Sequence, residues 1–272
     1  MTYFYPKLAN LDLVFIGVGG PGLANMFFPM YRALQASKQF DGEFLMPTPT
    51  QIKIGPMLRR ERDLRLYSDI FVKRSPGEIL KRFSLSIRRT ITEESFGNAP
   101  KGPCGAVLFA GLKNHFKDLD LSRRQDFMSL LSQRSSNPLQ RDTIEEIALH
   151  IRMGDFSQKQ TNNMNSRVSF DWYAKALEVA RERYPGIPAR IYSDEPGRCR
   201  EFASDSECEL ADEGNALEDI FNLAKSRALV ASQSSFSLWA SFLGQSETFL
   251  PVGFNLEGYA HPDQFNVTKV GA

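Results

Sequence analysis

The sequence predicts an α/β protein in two halves, the second built on a parallel sheet with helices on both faces. Three observations carry that expectation. From Ile144 onward, short apolar runs alternate with helical patterns, as parallel strands joined by crossover helices do. Near the N-terminus an apolar run, Leu13 to Val18, leads into Gly19-Gly20-Pro21-Gly22 and then an apolar stretch from Leu23 to Leu34. That order reads as strand, tight turn, helix. Finally, 272 residues suit two modest domains. A break around Ser135-Ser136-Asn137-Pro138 separates residues 1–140 from 141–272.

In chain order, the first half adds a short strand at Gly105–Ala110 and a basic stretch between Leu58 and Arg89. That stretch holds Arg59, Arg60, Arg62, Arg65, Lys73, Arg74, Lys81, Arg82, Arg88 and Arg89, diluted by Glu61, Asp63, Asp69 and Glu78. It reads as a solvated helical face, with an acceptor patch or a peripheral membrane contact as the alternative. In the second half, strands are expected at Ile147–Arg152, Pro188–Ser193, Cys208–Leu210, Ala228–Ala231 and Thr248–Pro251. Helices are expected at Phe170–Tyr184, Pro196–Ala203, Leu217–Ser226 and Phe236–Leu243. Right-handed crossovers place the C-terminal ends of such strands on one edge, where ligands bind in sheets of this kind.

Composition narrows the function. Hydrophobic residues make up 42% and charged residues 24%, which excludes wholesale disorder. Lys plus Arg (33) nearly balance Asp plus Glu (32), so no global field points to a nucleic-acid partner. Three scattered cysteines, Cys104, Cys199 and Cys208, form neither a disulfide framework nor a zinc knuckle. Only three histidines exist, His115, His150 and His261, which argues against a polyhistidine metal site. The apolar run from Leu11 to Val18 falls short of the ~20 residues that span a bilayer. It also lacks signal-peptide flanks, so a reducing cytoplasm is the expected compartment.

Three strand ends carry polar clusters. In His150-Ile151-Arg152-Met153-Gly154-Asp155, His150 and Arg152 share one side of a strand. The arginine fork suits an anionic oxygen, although an Arg152–Asp155 pair that only closes the strand end fits equally well. Tyr192-Ser193-Asp194-Glu195 before Pro196 reads as a helix cap by Ser193 or Asp194, or as site chemistry. Ser232-Gln233-Ser234-Ser235-Phe236-Ser237 opens a helix whose hydroxyls and free amides suit a phosphate, or are plain capping by Ser234 or Ser235. Together, the arginine and the serine-rich helix start outline a pyrophosphate pocket.

Two other motifs are weaker than they look. The G-x-G-x-x-G spacing is met only by Gly17, Gly19 and Gly22, and no acidic residue closes a second strand about 20 positions on. Asp118-Leu119-Asp120 has a metal-binding D-x-D form, yet it precedes Ser122-Arg123-Arg124-Gln125, a capping-box pattern that opens an amphipathic helix. No metal is expected there.

The H-x-R-x-G-D motif, met at His150, Arg152, Gly154 and Asp155, resembles that of the α-1,2-fucosyltransferases, glycosyltransferase family 11. It is shared more distantly with α-1,6- and protein O-fucosyltransferases. Phe170-Asp171-Trp172-Tyr173, Tyr192-Ser193-Asp194, Leu217 to Leu223 and Ser234 to Ala240 are similar to later blocks of that family. Gly22 to Phe28 and Phe109 to Leu112 are similar to earlier ones, with Ala24 in place of a family glycine and Met26 in place of a glutamine.

The resemblance implies a GT-B-like enzyme, two Rossmann-like halves across a cleft, the first on the acceptor side and the second holding GDP-fucose. It implies inverting, metal-independent transfer of fucose to a glycan hydroxyl, α-1,2 to galactose. Carried over, Arg152 would bind the β-phosphate, His150 would lie beside the guanosine and Asp219 would accept from the guanine edge. Ser234, Ser235, Phe236 and Ser237 would cradle the pyrophosphate, and Asp194 belongs to the same strand-end block. Gly22 and Asn25 would reach the donor from the first half. Arg152 and Asp155 are the catalytic candidates, Asp155 by position alone. A transferase using another nucleotide sugar, or an inactive nucleotide- or glycan-binding module, are the alternatives. The acceptor and the oligomeric state are not legible.

Overall fold

The computed structural model describes residues 1–9, 11–12, 16–47, 50–52, 67, 76–85, 87–97, 105–135, 139, 142–154, 164–212 and 214–271. The chain divides into two compact units, Met1–Pro138 and Leu139–Ala272.

The N-terminal unit opens with β1 (Tyr3–Pro6), all four residues buried. It continues through β2 (Leu11–Asp12), β3 (Gly17–Val18), α1 (Leu23–Gln39), β4 (Glu43–Phe44) and β5 (Gln51–Ile52). Then come α2 (Pro76–Leu85), β6 (Thr90–Thr92), α3 (Glu93–Gly97), β7 (Ala106–Phe109) and α4 (Arg124–Arg134). Its main sheet, β4-β1-β7-β6, is parallel throughout. Alternation along β1 splits the core: Tyr3 and Tyr5 pack with Leu45, Leu85 and Ala106, while Phe4 packs with Ala33, Val107 and Phe109.

The expected leading strand Leu13–Val18 does not form as one piece. Leu11–Asp12 pairs antiparallel with Gly17–Val18 in a small side sheet, and Leu13–Phe15 lie outside the described residues. Leu11 and Ile16 are exposed, so this run is not a core strand. Helix α1 runs five residues past the expected Leu34. It is apolar nearly all round because it is buried nearly all round. Its one buried cation, Arg32, is held by Glu93 and by the carbonyls of Ala110 and Gly111.

The basic stretch is described only in part. Arg59, Arg60, Arg62, Arg65, Lys73 and Arg74 lie outside the described residues. In α2, Lys81 pairs with Glu43 and Arg82 with Asp12, while Leu80 and Phe83 are exposed. Lys81 and Arg82 thus each have an acidic partner in the unit, whereas Arg88 and Arg89 are exposed.

The C-terminal unit runs β8 (Ile144–Ile151), α5 (Phe170–Arg183), β9 (Ala189–Ser193), α6 (Arg200–Asp205) and β10 (Glu209–Leu210). It continues with α7 (Ala216–Lys225), β11 (Ser226–Val230), α8 (Ser235–Gly244), β12 (Glu247–Pro251) and β13 (Val267–Val270). All neighbouring strands are parallel, in the order β10-β9-β8-β11-β12-β13. Renumbered from β8, this is the 3-2-1-4-5-6 order of the doubly wound dinucleotide-binding fold. Thr248–Pro251 is therefore not the last strand; β13 adds an edge, tied in where Trp172 Nε1 donates to Val270 O at 3.0 Å.

Strand β8 feeds two layers. Ile147, Leu149 and Ile151 pack with Trp172, Tyr173, Ala176 and Leu177 of α5. Each of these Ile and Leu side chains, fully buried, contributes about 1.5–3 kcal/mol. Ala148 and His150 alternate to the other face, where His150 meets Ser237 of α8. Helices α7 and α8 touch each other closely, and a Cβ on Gly244 would fall 1.7 Å from Ala224 O.

Candidate active site

In a sheet of order 3-2-1-4-5-6, strand order reverses between the first and fourth strands, and the crevice outside their carboxyl ends is the ligand site. Here those strands are β8 and β11, whose ends lead into 152–154 and 232–237 respectively. Strand β9, beside β8, ends at Ser193-Asp194. The three polar clusters of the sequence thus meet on one edge.

Asp194 organises the β8 end. Its carboxylate accepts from Met153 N and Gly154 N, both at 2.9 Å, and pairs with Arg152 at 3.3 Å. The expected cap is not formed: Glu195 precedes the 3-10 turn Pro196–Cys199 with no side-chain cap bond. Ser193 Oγ accepts from Glu195 N instead, because Asp194 is turned toward the neighbouring strand end. A Cβ on Gly154 would lie 2.5 Å from Asp194 Oδ2, so a side chain there would displace the carboxylate from the two amides it holds. Asp155 lies outside the described residues, and with it the proposed Arg152–Asp155 pair.

The α8 start is built on hydroxyls. Ser234 is the N-cap and accepts from Ser237 N at 3.1 Å, as capping chemistry predicts. Its hydroxyl joins Ser232 and Ser237 in a buried cluster around His150 Nδ1, which lies 2.6 Å from Ser237 Oγ and 3.0 Å from Ser232 Oγ. The His150 ring stacks on Phe236 at 4.9 Å. Burial, with the Arg152 charge adding, pushes the His150 pKa down to about 3, so this ring is neutral at physiological pH. Ser234 and Ser237 are committed inward. The half-buried Ser235 hydroxyl, and the first-turn amides of Ser235 and Phe236 that a helix leaves without an intrahelical acceptor, lie at this edge.

Asp219 lies in the first turn of α7. That helix runs back antiparallel to the strands before β11, so its N-terminus is at the same edge. Burial, reinforced by Glu218, raises the Asp219 pKa to about 7. Its charge also reaches Tyr192, paired in register with His150.

Gly22 and Asn25 stand at the start of α1 in the other unit. Gly22 precedes the helix, its carbonyl accepting from Asn25 N and Met26 N. Ala24 and Met26 are both buried, Met26 at 1% exposure, in an apolar core where a glutamine amide would need partners. Asp118 and Asp120 serve local backbone: Asp118 accepts from Asn114 N, and Asp120 Oδ1 accepts from Ser122 N. Ser122 does not cap; Asp120 opens a 3-10 turn and α4 begins at Arg124. Among the described residues, no group of three or more His, Cys, Asp and Glu side chains could hold a metal ion, and no helix is long and apolar enough to cross a membrane.

Two further participants are Arg167, which carries no linear signal, and Tyr173, which lies in a family-like block without an assigned role. Arg167, in the loop before α5, donates from Nε to Met153 O at 2.8 Å and from Nη2 to Gly154 O at 3.4 Å. Tyr173 OH donates to His150 O at 3.1 Å from within α5.

A family model described as "Glycosyl transferase family 11" matches residues 112–263. Among solved structures, the chain is similar to the α-1,6-fucosyltransferase NodZ co-crystallized with GDP, at 10% identity and a TM-score of 0.41, over 88% of this chain and 92% of that one. It is similar to the E. coli heptosyltransferase WaaC with ADP at 8% identity and a TM-score of 0.46, over 99% and 93%. It is similar to POFUT1 in complex with GDP-fucose at 11% identity and a TM-score of 0.31, over 55% and 53%. No curated protein matches.

Proposed function

The chain belongs to glycosyl transferase family 11, and on that premise we propose that it moves L-fucose from GDP-fucose to a glycan hydroxyl with inversion, α-1,2 to galactose. The observation that carries this reading is the placement of Arg152 and the first turn of α8 at the ends of β8 and β11, the switch point of the C-terminal sheet. The acceptor oxygen attacks the anomeric carbon as the sugar–phosphate bond breaks, and its electron pair stays on GDP. Arg152, Ser235 and the amides of Ser235 and Phe236 are positioned donors for that developing charge. One such preorganised donor is worth about 3–4 kcal/mol.

With that charge met by fixed donors, the reaction is assigned no metal, and saturating EDTA should leave turnover unchanged. Asp219 supplies base selectivity, because a carboxylate accepts from both guanine N1–H and the 2-amino group. His150, neutral and committed to the serine cluster, holds the α8 start in place and stacks Phe236 rather than carrying charge. The proton of the acceptor goes to a base for which Asp155 is the candidate.

The test combines ligand and variant. GDP should raise the melting temperature well above UDP or ADP, and Arg152→Ala should remove most of that rise. Transfer should fall in kcat more than KM rises, with Arg152→Lys restoring only part because it lacks the fork. Equal responses to GDP and UDP would favour another nucleotide sugar.

A further inference from the structure

We propose that Arg167 and Asp194 act as a pair of positioning residues that grip the backbone of residues 152–154 from opposite sides and so aim Arg152 at the donor's β-phosphate. The inference rests on the reading of Arg152 given above and extends it to Arg167, which no motif assigns, and to a backbone-holding role for Asp194. Met153 and Gly154 lie beyond the last residue of β8, so the hydrogen bonds that hold their amides and carbonyls come from side chains. Asp194 takes the two amides, Met153 N and Gly154 N, at 2.9 Å each. Arg167 takes the carbonyls of those same two residues, at 2.8 and 3.4 Å.

The two grips are complementary in charge as well as in direction. Asp194 is drawn also to the Arg152 guanidinium at 3.3 Å, so the same carboxylate fixes both the backbone and the side chain. Gly154 lets this happen, because any Cβ would collide with Asp194 Oδ2. Arg167 arrives from a loop that is itself docked at the site, since Asn165 N donates to Gln233 O and Ser166 bridges Gln233. The Arg167 loop therefore ties the β8 end to the segment that opens α8. An arginine aimed from a short segment beyond the end of its strand gains from such supports, because a misplacement of ~1 Å can cost ~10²-fold in rate.

A positioning role is separable from a structural one, since it acts on one phosphate and only through Arg152. The experiment measures GDP and GMP dissociation constants by calorimetry for wild type, Arg167→Met, Arg152→Ala and the double variant. Arg152→Ala and Arg167→Met should each weaken GDP by about 10-fold or more while leaving GMP, which lacks the β-phosphate, within about 2-fold. In the double variant GDP affinity should match Arg152→Ala alone, because Arg167 has nothing left to aim. Arg167→Lys, which keeps the charge and one donor direction, should recover part of the loss and serves as the readout if Arg167→Met does not fold. Multiplying losses in the double variant would overturn the clamp and place Arg167 on the phosphate itself. Equal losses of GDP and GMP, or unchanged GDP affinity in Arg167→Met or Arg167→Lys, would also overturn it. If Arg152→Ala leaves GDP affinity unchanged, the reading of Arg152 fails and the clamp falls with it; in every other adverse result the clamp fails alone.

Discussion

Burial drives the Asp219 carboxyl up to about 7, with Glu218 adding to the shift, and the sign of that shift has two consequences. A carboxyl whose folded pKa lies above its ordinary value costs stability as pH rises from about 4 through 7, because folding opposes an ionisation that the unfolded chain permits. Asp219→Asn should therefore make the ligand-free protein more stable at pH 8, by roughly 1–3 kcal/mol. The same substitution should weaken GDP by ~1–3 kcal/mol, since an amide donor would face guanine's donors. Wild-type GDP affinity should rise between pH 6 and 8 more steeply than that of Asp219→Asn, which controls for phosphate ionisation. Parallel profiles in calorimetry would remove Asp219 from the base-reading role.

His150 has the opposite linkage. Its folded pKa, about 3, lies below the ordinary 6.5, so its contribution is complete above pH 6.5 and is lost as pH falls toward 3. Denaturant unfolding at pH 7 and 4.5 should show wild type losing ~2–3 kcal/mol more than His150→Gln. Equal losses would mean the ring takes up a proton in place.

At the scale of elements, the α7–α8 contact makes a sharp forecast. The last residue of α8 approaches α7 so closely that a Cβ on Gly244 would fall 1.7 Å from a backbone carbonyl, which cannot swing aside as a side-chain tip can. Gly244→Ala should cost several kcal/mol, in the range of severe overpacking, and lower the melting temperature. A change within about 1 °C, against the 2–4 °C per kcal/mol expected for chains of this size, would show that the helices separate freely. The second half's strands and helices are legible because hydrophobic period and punctuation agree there: Ser234 caps α8, and Asn215 with Glu218 forms a capping box on α7. Strand β1 is not legible, because four residues beginning Tyr3-Phe4-Tyr5 are too short to show a period. Val267–Val270 is missed for a related reason, since two 3-10 turns rather than a helix precede it. At the site, the serine-rich helix start can be read from sequence, whereas Asp194 and Arg167 meet the 152–154 backbone across 40 and 13 positions that no local pattern links.

On the scale of the whole molecule, each unit has its own parallel sheet and its own buried clusters. The strand order of the C-terminal unit places its switch point between β8 and β11, and every candidate donor contact except Gly22 and Asn25 belongs to that unit. GDP present at 100 times its dissociation constant should then add about 2.7 kcal/mol to the state that binds it. Hydrogen exchange with and without GDP locates that gain. Amides of residues 150–154, 193–195 and 232–238 should slow most, because they border the switch point and include the first turn of α8. The amides of Ser235 and Phe236 are the most diagnostic, since a helix start leaves them without acceptors and only a bound anion would protect them. The core amides of β1 and β7 should be unchanged, being paired in their own sheet with or without nucleotide. Protection that is strongest in β1 and β7, with Ser235 and Phe236 unaffected, would move nucleotide binding to the N-terminal unit and remove the α8 start from the site.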